Sequence, residues 1–146
     1  MRAASWTVKN LMCRKFARMG DDLTYEGWSD PLVLQLCKTM RAGDAAEIYA
    51  QRPDQNAFSL YRDLAAVGPR HLWFEIARPA TSMDPVALFG VAGLSPGVGV
   101  AHMFGTDHLT LDHCRQIADR IRTVVVPAML DLGLHRVHAD SLVTYR

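Results

Sequence analysis

Residues 86–104 read VALFGVAGLSPGVGVAHMF, and this stretch decides the fold. Its first nine residues are almost all apolar, which predicts a strand that is buried on both faces. Ser95-Pro96-Gly97 has the composition of a tight turn. Residues 98–104 then form a second strand, so the stretch predicts two neighbouring antiparallel strands.

The segments that precede this hairpin extend the pattern towards the N-terminus. Residues 71–78 carry alternating apolar side chains, which predicts a third strand of an antiparallel meander. Two short helices are predicted before it. Asp44 with Glu47 is expected to cap the first, over residues 45–51. Asp54 is expected to cap the second, which ends at Gly68-Pro69. The bounded apolar run at residues 32–40 predicts the first strand of the sheet.

The segments that follow the hairpin predict a long helix and a last strand. Thr110 is a favourable N-cap, apolar residues recur every three or four positions, and Gly133 ends the helix. Pro127 lies inside this helix and predicts a kink near Thr123. Residues 136–143 predict a strand, and the helical crossover implies that it runs parallel to strand 98–104.

Length, composition and charge exclude several classes of protein. The chain has 146 residues, 49% of them hydrophobic, and a net charge of +1, which predicts one globular domain and argues against a dedicated nucleic-acid binder. The sequence contains no apolar run long enough to span a membrane. Three widely spaced cysteines indicate reduced thiols rather than a disulfide framework.

The charge is unevenly distributed, and this predicts a basic N-terminal arm over residues 1–29 and a globular domain over residues 30–146. Residues 1–20 hold five basic residues and no acid, so the remainder carries 11 − 15 = −4. The arm is expected either to be a solvated segment or to dock on a partner as a basic amphipathic helix. Under the docked alternative the predicted partner-binding residues are Trp6, Lys9, Arg14, Lys15, Arg18 and Trp28.

The order strand, two helices, three strands, helix, strand resembles the GCN5-related N-acetyltransferase (GNAT) fold. Residues 38–48 (KTMRAGDAAEI) are similar to the first strand and helix start of such chains. The segments 86–91, 96–100 and 104–109 resemble a family of short bacteriophage proteins with this fold, related to the internal virion protein A of podoviruses. The resemblance implies a mixed α/β (α+β) fold. Its central mixed sheet has about five strands, an antiparallel meander plus one parallel strand, flanked by helices.

The resemblance also implies where an active member would bind acetyl-CoA and carry out catalysis. The implied cofactor-binding residues are Phe104, Gly105, Thr106, Asp107 and His108. The implied catalytic residues are Glu75 or His102 as the base and Tyr145 as the proton donor. However, the loop at 105–112 has one early glycine, no Arg or Lys, and two carboxylates, which do not suit a pyrophosphate.

The end of the sequence departs from the resemblance as well. The fold normally continues beyond residues 136–143 with a helix and two strands, so the C-terminal part of the fold is expected to be absent. The last strand would then be an open sheet edge, and Val137 and Ala139 are predicted to pair with a partner or a second copy.

No single candidate residue predicts a catalytic or metal site by itself. Glu75 is expected to be an exposed strand residue, and His102 a hydrogen-bonded histidine of the core or a cleft. The histidines and cysteines lack the close spacing of metal ligands, so no metal site is predicted.

The sequence therefore supports three hypotheses. The first is a phage-encoded GNAT-like protein with a structural or interaction role among other virion or phage proteins, without a cofactor, located in the virion or host cytoplasm. The second is an active acetyl-CoA-dependent N-acetyltransferase, and the third is a phage factor that binds a host protein.

Overall fold

The computed structural model describes residues 22–139, which form a five-stranded mixed sheet in the strand order β1-β2-β3-β4-β5. The strands are β1 (Leu23–Glu26), β2 (His71–Pro79), β3 (Ala87–Ser95), β4 (Val98–Gly105) and β5 (Arg136–His138). Neighbouring strands from β1 to β4 are antiparallel, and β5 is parallel to β4. The predicted meander with one parallel strand is confirmed.

Helices cover both faces of this sheet. They are α1 (Asp30–Lys38), α2 (Ala42–Ala50), α3 (Ala57–Val67), α4 (Leu111–Arg120) and α5 (Val126–Asp131). One face packs against α1 and α3 through a cluster that includes Leu36, Leu60 and Leu88. The other face packs against α4 and α5 through a cluster that includes Phe89 and Ile117. Both faces of β3 are therefore buried, as its apolar sequence predicts.

The predicted first strand at residues 32–40 is wrong, because these residues lie mostly in helix α1. The buried residues Val33, Leu36 and Cys37 follow the helical i, i+3, i+4 spacing. A short apolar run is ambiguous between helix and strand, and packing against the sheet decides for the helix. The first strand is instead Leu23–Glu26, which pairs with β2 and lies within the stretch predicted as arm.

Two predicted helix caps are also wrong. Arg41, not Asp44, is the N-cap of α2, because the Asp44 carboxylate is directed towards another element. Asn56, not Asp54, caps α3, since its side chain accepts hydrogen bonds from the next turn. Thr110 caps α4 as predicted: its hydroxyl accepts from the His113 N–H, and the His113 ring accepts from the Thr110 N–H.

The long helix is interrupted at the position where Pro127 predicts a kink. A π-helical turn, Ile121–Val125, separates α4 from α5. Pro127 has no N–H to bond the carbonyl of Thr123, and the Thr123 hydroxyl donates to the Asp119 carbonyl at 2.7 Å. Gly97 and Gly133 have φ values of +75° and +83°, which suit the turn and the helix end where they lie.

Several predictions concern residues outside the described range. These are the basic arm residues Trp6, Lys9, Arg14, Lys15 and Arg18, together with Tyr145 and the end of the last predicted strand at residues 140–143. Across residues 22–139, no helix combines the length and apolar character needed to cross a membrane.

Candidate binding cleft beside strand β4

A cleft of about 820 Å³ opens along the edge of β4. Within residues 22–139, β5 pairs with β4 only from Val98 to Val100, which leaves the rest of β4 without a neighbouring strand on that side. Ile48 of α2 and Leu60 of α3 lie on one wall of the cleft, and Val125 and Met129 lie on the other. The cleft is therefore largely apolar and has a strand edge at its centre.

Polar groups lie at both ends of the cleft. Asp44 contacts β4 at its C-terminal residue, Gly105, whereas Arg136 lies beside Val98 at the start of the strand. His102 lies between them and also lines the cleft.

The Asp44 carboxylate occupies the point where the loop before α4 begins. Its Oδ2 accepts from the Gly105 N–H at 2.7 Å and from Arg41 Nε at 2.8 Å, and Asp44 is 6% exposed. The Arg41 N–H in turn donates to the Gly105 carbonyl at 2.9 Å. Both backbone groups of Gly105 that face away from β3 are thus bonded within the protein.

The next N–H groups of this loop are also bonded internally. Thr106 N–H donates to the Val86 carbonyl, and His108 N–H donates to the Thr106 hydroxyl. Leu109 N–H donates to the Thr106 carbonyl, and the Thr110–His113 capping pair satisfies two more donors. A phosphate-binding loop needs such N–H groups directed at its ligand.

The structure places the sequence-predicted cofactor residues in two environments. Phe104 and Thr106 are each only 3% exposed and belong to the packed interior. Gly105 is buried beside Asp44, whereas Asp107 and His108 are exposed. The five residues therefore do not line one surface.

Glu75 is buried rather than exposed, which corrects the sequence-based expectation. Arg120 of α4 donates to both carboxylate oxygens, from Nη2 at 2.5 Å and from Nε at 3.1 Å, and Glu75 is 8% exposed. This pairing raises the pKa of Arg120 above its usual value. The guanidinium also lies 4.8 Å from the centre of the Tyr25 ring, and burial raises the pKa of Tyr25 to about 12.

His102 is a hydrogen-bonded histidine of the cleft, as predicted. Its Nε2 lies 3.2 Å from Nε2 of His71. Burial, followed by the neighbouring His71, lowers the pKa of His102 to about 4, and burial also lowers the pKa of His71. His102 pairs across the sheet with Gly90 and Glu75 with Phe89, so the two candidate bases lie on opposite faces of the sheet.

Sequence reasoning missed both Asp44 and His71 as parts of the site. The sequence predicts Asp44 to be a helix N-cap, because Glu47 follows it at the spacing of a capping box. His71 stands at the start of a strand with no motif around it. No local signal identifies either residue, because their partners Gly105 and His102 lie 61 and 31 residues away.

The predicted partner-binding residues inside the described range lie in two places. Val137 and Ala139 are exposed and line the cleft beside β4. Trp28 lies elsewhere, with its ring centre 5.1 Å from that of Phe74 and its Nε1 donating to Asp30.

Nothing among protein-family models or curated proteins matches the sequence. The structure is similar to glucosamine-6-phosphate N-acetyltransferase from Arabidopsis thaliana, with a TM-score of 0.50 and 11% identity over 84% of each chain. It is also similar to the acetyltransferase AAC(6')-Iy in complex with a CoA bisubstrate analogue. In that comparison the TM-score is 0.51 and the identity 10%, over 85% of this chain and 82% of that one.

The chain therefore has the fold of the GNAT acetyltransferases. At these identities the likeness establishes the fold alone, and function has to be argued from the site.

Proposed function

We propose that this chain is a GNAT-fold interaction protein without acetyltransferase activity. The Asp44–Gly105 contact carries the proposal. It puts a buried carboxylate against the N–H where the resemblance places the coenzyme A pyrophosphate. Two like charges about 6 Å apart repel by about 3 kcal/mol at an effective dielectric constant of about 20. Arg41, which pairs with Asp44 at 2.8 Å, offsets part of this repulsion, but most of the N–H donors of the loop are already bonded within the protein.

The environment of Glu75 supports the same proposal. A general base needs a lone pair that can reach the substrate's proton. Both Glu75 oxygens accept from Arg120, and the side chain lies on the face opposite His102. Proton abstraction by Glu75 would require breaking a bidentate, mostly buried ion pair.

The proposed biological setting is a bacteriophage particle or its assembly. The resemblance of residues 86–109 to short phage proteins supports this setting, and the open edge of β4 supports binding of another virion or phage protein. Val137 and Ala139 are the proposed contact residues within the described range. Mass spectrometry of purified particles should detect the chain, and its absence from the particles would contradict the virion role.

Calorimetric titration with acetyl-CoA tests the lack of cofactor binding. We expect no saturable heat up to about 1 mM acetyl-CoA, the weak-binding end of the affinity scale. Asp44→Ala removes the carboxylate from Gly105 and should bind acetyl-CoA more tightly than the unmodified protein. Glu47→Ala, on the same helix, is the matched control, because it keeps the Asp44 carboxylate and should not change binding. Micromolar binding to the unmodified protein would overturn the proposal.

An active acetyl-CoA-dependent N-acetyltransferase is the second candidate, and one observation favours it. The cleft lies where β4 and β5 diverge, and the similar structure of AAC(6')-Iy is a complex with a CoA bisubstrate analogue. In this candidate His102 is the base, because it lines the cleft and its ring is neutral at pH 7. Acetyl transfer to a small amine that disappears in His102→Gln would support it.

A phage factor that binds a host protein remains the third proposal. Affinity capture from host lysate tests it, with a Val137→Asp variant as the control for specific binding through the cleft. Recovery of the same proteins by both forms would count against it.

A further inference from the structure

Two histidines from non-adjacent strands meet above the middle strand of the sheet. His71 lies on β2 and His102 on β4, with β3 between them. Their Nε2 atoms are 3.2 Å apart, their ring centres are 5.0 Å apart, and their planes are inclined by 54°. Neighbouring strands are about 4.8 Å apart, so the two side chains bridge a gap of about 10 Å.

Two local features make this meeting possible. A β-bulge between His71 and Trp73 shifts the register of β2 against β3 and changes the face on which His71 lies. Gly90, the β3 residue opposite His102, has no side chain to fill the space between the histidines. A Cβ atom at Gly90 would lie 3.0 Å from the His102 ring and 2.8 Å from the Trp73 carbonyl oxygen.

The distances between the rings match those of two imidazoles bound to one metal ion. With metal–nitrogen bonds of about 2.05 Å, an Nε2 separation of 3.2 Å corresponds to an N–metal–N angle of about 103°. The metal is taken to lie on the line from each ring centre through its Nε2, which is about 1.15 Å from the centre. With the angle above, the two ring centres are then about 5.0 Å apart. The observed separation of the ring centres is 5.0 Å. The same two nitrogens are within hydrogen-bonding distance, and a bound ion would take the place of the proton between them.

We propose that His71 and His102 form a two-histidine site for a divalent transition-metal ion of the Zn²⁺, Ni²⁺ or Cu²⁺ class. Imidazole nitrogen is a preferred ligand of these ions, whereas Mg²⁺ and Ca²⁺ prefer oxygen ligands. The proposal is independent of the proposed function, because it rests on the rings and not on the loop at Gly105.

Only an unprotonated imidazole nitrogen offers a lone pair to a metal ion, so the proposed site binds the ion with both rings neutral. His102 lines the cleft beside β4, and Asp44 of the same cleft is paired with Arg41. Among residues 22–139 no group of three or more His, Cys, Asp or Glu ligands is assembled, so the remaining metal positions are left to water or to the cleft's occupant.

Calorimetric titration of the tag-free full chain with Zn²⁺ and with Ni²⁺ at pH 7.5 tests the site. We expect one ion per chain and a dissociation constant in the micromolar range, about 8 kcal/mol of binding free energy. His71→Ala and His102→Ala should each weaken binding at least tenfold. His108→Ala is the matched control, since it removes an exposed histidine and should leave binding unchanged.

Imidazole NMR of the unmodified protein keeps the test valid if the alanine variants fail to fold. Zn²⁺ should shift the resonances of His71 and His102 first among the six histidines of the chain. Cu²⁺ should show an electron paramagnetic resonance spectrum with two coupled nitrogens, reduced to one in His102→Gln. The absence of saturable binding up to 1 mM metal, or shifts that begin at His135 or His138, would overturn the proposal.

Discussion

Replacement of Glu75 should destabilise the fold, because its carboxylate is the buried partner of Arg120. Loss of one member of a buried ion pair costs about 3–5 kcal/mol. The Arg120 side chain retains 31% of its exposure, so water can solvate part of the freed charge. We therefore expect Glu75→Ala to lower the free energy of unfolding by about 2–3 kcal/mol and Glu75→Gln, which keeps one acceptor, by about 1–2 kcal/mol.

Urea unfolding at pH 7, followed by circular dichroism, measures this change, and a double-mutant cycle with Arg120→Met isolates the pair. We expect a coupling free energy of about 1–2 kcal/mol between the two positions. Asp119→Asn is the matched control, because Asp119 and Arg122 form an exposed pair at 3.1 Å, and removal of such a pair costs less than about 1 kcal/mol. A Glu75→Gln protein as stable as the original, with no coupling to Arg120, would refute the reasoning.

Three further predictions concern the sheet, its acid stability and the long helix. Gly90→Ala should cost about 1–3 kcal/mol by urea unfolding, since the new Cβ meets the Trp73 carbonyl at 2.8 Å. Gly27→Ala, where nothing lies within 4 Å, is the control that should change little. Because burial lowers the folded-state pKa of His102 to about 4, the unfolded chain binds this proton first as the pH falls. The neutral His102 side chain should therefore contribute about 3 kcal/mol to the free energy of unfolding above pH 6.5, and this contribution should be lost between pH 6.5 and 4. Urea unfolding of His102→Gln at several pH values should lack that loss. Thr110→Ala should cost about 1 kcal/mol by removing the N-cap, and Thr110→Ser, which restores the hydroxyl, should show no such loss.

Much of the fold follows from local patterns. The apolar run and turn of residues 86–104 predict β3 and β4 because each strand's burial and its turn are encoded within a few residues. The spacing of apolar residues and the N-cap at Thr110 predict the long helix. Pro127 predicts a kink near Thr123, and the structure has a π-helical turn at this position. The parallel strand β5 follows from chain connectivity.

The errors occur where a local pattern allows two structures. Residues 32–40 are apolar enough for a strand, but Val33, Leu36 and Cys37 are buried on a helix against the sheet. The four residues of β1 are too few to show a period, and only pairing with β2 makes them a strand. In both cases a contact with another element selects the structure.

The sequence by itself therefore determined the order of most elements, the central hairpin and the long helix, because these depend on periodicity and turn chemistry over short distances. Only the tertiary structure decided the chemistry of the site: Asp44 on the Gly105 N–H, Arg120 on Glu75, and His71 beside His102. These contacts join residues 61, 45 and 31 positions apart. The physical reason is that strand register, a bulge and the helix packing bring these side chains together, and no short stretch of sequence contains both partners.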